Sequence, residues 1–73
     1  MMYLWKFEII LKSGKVVVGY DKNEYDNSCD VAQEFLGGPQ NDVISLGNLQ
    51  GTQNLLVRKN EIAAMVISAG EVE

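Results

Sequence analysis

From Tyr3 to Leu11 the side chains alternate: Tyr3, Trp5, Phe7, Ile9 and Leu11 share one parity, and Leu4, Lys6, Glu8 and Ile10 share the other. A period of two is what a half-buried β-strand produces, because successive side chains leave the backbone on opposite faces. The stripe of Tyr3, Trp5 and Phe7 constrains the fold more than any other feature, since each large ring offers ~150–250 Å² for burial. Two arrangements satisfy it. Either the rest of the chain covers this face and the stripe is core, or the cover lies on the other face and the stripe is an exposed partner or ligand surface.

The remaining elements follow from local signals. Ser13-Gly14 sits between two strand-like runs and predicts a tight hairpin into Val16-Val17-Val18, a strand ending near Gly19 to Asp21. Asp21 to Asp26 reads as a loop. A helix is expected from Asn27 or Ser28 to Leu36, with Asp30 in its first turn, Val31, Ala32, Phe35 and Leu36 on one face, and Gly37-Gly38-Pro39 as its stop. Beyond it, Val43–Leu46 and Leu55–Arg58 read as short strands joined by the polar run Gly47–Asn54, and Lys59-Asn60-Glu61 as a turn. Ile62–Ser68 is apolar on both parities, which fits a strand buried on both faces, while a short helix gives the same periodicity. Residues 70–73 are expected to fray. The order predicts an α+β fold in one domain spanning 1–73: a mainly antiparallel five-stranded sheet or partly open barrel, with one short helix after the second strand.

At 73 residues the core is close to the smallest that sustains independent folding. Cys29 is the single cysteine and histidine is absent, so neither a disulfide nor a Cys/His metal site can supplement it. Self-association as a homodimer or higher oligomer is the remaining remedy. The net charge of −4 argues against a nucleic-acid surface, since phosphate backbones demand clustered cations. No apolar run approaches the ~20 residues of a membrane span and no cleavable leader is visible, which predicts a cytoplasmic location without a membrane partner.

Catalysis is not expected, because the commonest general acid–base side chain is missing. Asp21, Glu24, Asp26 and Asp30 lack the register of an EF-hand loop, so they read as a solvated acidic face or a weak cation or partner contact. Cys29 has no basic or thiol neighbour in sequence and is expected to be a small, partly buried structural residue. In the Gly47–Asn54 run, Asn48, Gln50, Thr52 and Asn54 can both donate and accept hydrogen bonds and so read a polar ligand edge. Arg58, the single arginine, carries a planar fork suited to a carboxylate or phosphate. The same residues also serve as ordinary turn formers and a surface cation.

Phe7–Lys15 and Leu55–Ile67 resemble the first hairpin and the last two strands of Sm-like and SH3-like barrels. The helix falls after the second strand and no basic loop is present, so RNA binding is not carried over. In size, acidity and lack of catalytic groups the chain is similar to the small accessory proteins of phages, among them the sponges that sequester nucleotide-derived signals in Thoeris anti-defence. That resemblance implies a non-enzymatic phage inhibitor of bacterial defence, acting in the host cytoplasm without a cofactor and capturing a nucleotide-derived immune signal between subunits. On this reading Trp5 stacks on a base, while Asn48, Gln50, Thr52, Asn54 and Arg58 contact its polar edges and phosphates. The alternatives are a protein inhibitor or adaptor acting through the acidic surface, and a Sm-like nucleic-acid module.

Overall fold

The computed structural model describes residues 2–39 and 42–72. It contains β1 (Tyr3–Leu11), β2 (Val16–Asn23), α1 (Ser28–Leu36), β3 (Val43–Gly47), β4 (Asn54–Arg58), a 3₁₀ turn (Lys59–Glu61) and β5 (Ile62–Val72). The strands form one five-stranded sheet in the order β4-β3-β2-β1-β5, with antiparallel neighbours and no closure into a barrel. The hairpin between β1 and β2 turns where expected: Gly14 takes φ +90°, the left-handed region open to glycine, and Leu11 N–H donates to Lys15 O at 2.8 Å. β2 runs further than the sequence suggests, because its polar end, through Asn23, stays paired with β1 up to Tyr3.

α1 begins at a side-chain cap. Asn27 is extended and its Oδ1 accepts from Asp30 N–H at 2.9 Å, satisfying one of the donors that a helix start leaves open. At the other end Gly37 N–H donates to Gln33 O at 3.0 Å, and the Lys59 ammonium donates to Gly37 O. Lys59 is buried, so its charge meets the carbonyl end of the helix dipole where little water competes. Its own N–H donates to Asp42 O at 3.0 Å, tying the turn before β5 to the segment after the helix.

The helix covers the Trp5, Phe7, Ile9 face of β1. These three residues form the buried core with Val31, Ile44, Leu46 and Val57, and the Phe7 and Phe35 rings meet at 4.8 Å between centroids, tilted by 53°. Of the two arrangements open to the aromatic stripe, the structure has the core one.

β5 corrects two expectations. It is buried on one face: Met65 and Ile67 pack toward the core, whereas Val66 is exposed. The apolar residues fall on both parities for two reasons: Ala64 and Val66 are apolar on the exposed face, and the register slips, with Ile10 opposite Ala64 but Leu11 opposite Ile62, so that Ile62 and Met65 both face the core. The strand also continues beyond Ser68, and the backbone expected to fray pairs as far as Val72 opposite Tyr3, after a second register shift.

Close approach at one glycine sets the spacing of β2 and β3. Gly19 lies opposite Phe7, and a Cβ built there would sit 2.6 Å from Leu46 Cβ and 2.8 Å from its Cδ1. Gly19→Ala is expected to lower the unfolding free energy by ~1–3 kcal/mol, the usual result of overpacking. Gly47→Ala, whose Cβ would meet nothing closer than 3.7 Å, should stay within ~0.5 kcal/mol. Urea denaturation of the two variants checks the difference.

Candidate functional site

With α1 on one face, the even-numbered residues of β1 look outward, and so do their cross-strand partners Val16, Val18, Tyr20 and Lys22 on β2. At one end of this open face, β2, β3 and the loop between β3 and β4 surround a hollow of about 470 Å³. Leu4, Tyr20 and Lys22 form its sheet side, and Asn48, Gln50 and Asn54 its loop side.

The loop is held by one side chain. Asn48 Oδ1 accepts from Thr52 N–H at 2.9 Å and from Gln53 N–H at 3.3 Å, while its Nδ2 donates to Thr52 Oγ1 at 3.1 Å. Gly51, at φ +73°, permits the turn inside this clasp, and its N–H donates to Asn48 O at 3.2 Å. Asn48 therefore organises the backbone with its amide, and Gln50 and Asn54 present theirs outward as exposed side chains.

Asn48, Gln50 and Asn54 are brought together as the sequence suggests. Thr52 belongs to the clasp instead of the lining. Arg58 ends β4 opposite Val43, four residues and roughly 13 Å of strand from Asn54, and is not part of the hollow. Trp5 is excluded as a stacking platform: its ring lies in the core beneath α1, and its indole N–H donates to Tyr25 O at 3.1 Å. Tyr20 and Lys22 were not singled out by sequence reasoning. Their signal in the sequence is the parity they share with Val16 and Val18, which the polar composition of Asp21–Asn23 masks.

Asp21, Asp26 and Asp30 are occupied by local structure. Asn23 Nδ2 donates to Asp21 Oδ2 at 2.8 Å, and Asn27 Nδ2 donates to Asp26 Oδ1 at 3.1 Å and Asp30 Oδ2 at 3.0 Å. Among the described residues no group of three or more His, Cys, Asp or Glu side chains is placed to hold a metal ion. Cys29 is exposed on α1, against the partly buried position expected. No described helix is long and apolar enough to cross a membrane.

No family model, curated protein or solved structure matches the chain.

The Glu34 carboxylate, in the last turn of α1, holds the phenol of Tyr25 above its ordinary pKa of 10.0, with desolvation, a hydrogen bond to Glu34 and the charge of Asp30 adding in the same direction. The folded state thus favours the neutral phenol, and the associated stability is lost as pH rises through the folded-state pKa. In an alkaline ultraviolet titration, Glu34→Gln should move one tyrosine transition to lower pH than in the unaltered protein. An unchanged titration curve would remove Glu34 as the cause.

Proposed function

We propose that the chain is a non-enzymatic, self-associating binding protein whose hollow captures a small nucleotide-derived ligand. One observation carries this reading: a half-buried aromatic ring (Tyr20), a cation (Lys22) and outward amides (Gln50, Asn54) line a single hollow beside a loop whose backbone is already ordered. Tyr20 offers an aromatic surface for a base, Lys22 a charge for a phosphate, and the amides donors and acceptors for base or ribose edges. Ordering the loop in advance lowers the entropic cost of binding. Tyr20 and Lys22 replace Trp5 and Arg58 in these roles, while Asn48 acts by holding the loop. The resemblance to phage sponges of immune signals gives the reading its biological setting: sequestration of a nucleotide-derived signal, to the detriment of bacterial defence, in the host cytoplasm.

Isothermal calorimetry and thermal-shift titration with cyclic nucleotides and ADP-ribose derivatives test the proposal. A bound compound should raise the melting temperature by mass action. Lys22→Ala and Asn54→Ala should each weaken binding by about tenfold or more, the scale of losing a hydrogen bond to a charged group. Arg58→Ala should leave affinity unchanged. Trp5, the single tryptophan, should give a blue-shifted emission that ligand does not alter. No heat and no thermal shift with any of these compounds would overturn the reading.

A further inference from the structure

The outward face of an antiparallel sheet is ordinarily polar. Here it is not. Val16, Val18 and Val66 are 54%, 47% and 54% exposed, and Ile10, 37% exposed, lies beside Val16. The register makes much of this one patch: Ile10 stands opposite Val16, and Glu8 stands between Val18 on β2 and Val66 on β5. Contiguous apolar surface of this kind marks an interface.

Charge identifies the occupant. Lys6 and Glu8, on the same strand and face, are 3.6 Å apart with side chains 40% and 47% exposed, and they interrupt the apolar patch with one charge of each sign. A twofold axis passing between them and across the strands would bring Lys6 of each copy to Glu8 of the other, Val18 and Val66 of one sheet onto Tyr20 and Ser68 of its partner, and the Ile10–Val16 end onto the Leu4–Lys22 end. An unrelated protein would have to supply both signs at the same spacing, whereas a second copy does so by symmetry.

We propose that two copies of this chain pack sheet against sheet through the open face, exchanging Lys6–Glu8 ion pairs across the twofold. Leu4, Tyr20 and Lys22 lie on that same face, so the partner sheet roofs the hollow and turns it into an interface pocket. This last step rests on the binding function proposed above; the dimer does not.

Sedimentation velocity on four samples tests the interface. The unaltered protein should sediment as a dimer. Lys6→Glu alone places like charges across the axis, as does Glu8→Lys alone, and each should dissociate at least about tenfold more readily. An equimolar mixture of the two variants restores opposite charges at both contacts and should re-form a dimer. Mixing cannot repair a folding defect, so that recovery separates an interface role from a structural one. A monomeric unaltered protein, a dimer insensitive to both substitutions, as pairing along the β5 edge would give, or a mixture that stays monomeric would each overturn the proposal. Nucleotide titration of the dimer keeps the two proposals apart, since a dimer that binds no nucleotide refutes the ligand reading alone.

Discussion

The packing of α1 onto the Trp5, Phe7, Ile9 face of β1 is the contact on which the rest depends. A nine-residue helix has little stability of its own and persists because Val31 is buried, and Phe35 partly buried, against that face. In return the helix covers the largest apolar stripe in the chain. Once this choice of face is made, the opposite face of every strand is assigned by register. Val16, Val18, Tyr20, Lys22 and Val66 are then outward by necessity. The hollow and the apolar patch are therefore two consequences of one packing decision.

Two smaller devices protect that arrangement. Lys59, buried and donating to the carbonyl of Gly37, the residue that caps α1, anchors the β4–β5 turn at the helix end, so the helix end and the longest strand are fixed together. Gly19 lets β2 come close to Leu46 without a side chain between them. Both act through the core, yet both bear on the site, because β2 carries Tyr20 and Lys22. Asn48 does the same for the loop side of the hollow. The binding surface is thus supported on strands from one side and on a self-bonded turn from the other, with few side chains left to order when a ligand arrives.

The elements were legible in the sequence where one local rule decides them. Alternation in β1, Gly14 at the hairpin and Asn27 at the helix start each act on neighbouring residues, and the elements begin where these rules place them. What was hidden depends on pairing between distant segments. The bulge that turns Ile62 to the core, together with apolar Ala64 and Val66 on the exposed face, makes a one-sided strand look apolar on both parities. The length of β2 is set by β1, not by its own polar residues, so Lys22 looks like loop in the sequence. Trp5 was assigned to a ligand because a strand alone does not say which face a helix will cover. Arg58 and Asn54 share a strand and a face, but strand rise separates them. The polar loop was recognised as a unit, yet the division of labour inside it, with Asn48 and Thr52 inward and Gln50 and Asn54 outward, is a matter of geometry that spacing does not encode.

The two faces of β1 make opposite demands on solvent, and hydroxyl-radical footprinting across a range of protein concentrations compares them in one experiment. Trp5 and Phe7 should resist modification at every concentration, while Tyr20, Val18 and Val66 should be modified in dilute solution and become protected as concentration rises. Modification of Trp5 as fast as that of Tyr20, or protection that never reaches Val18 and Val66, would contradict the division of the sheet into a buried face and a docking face.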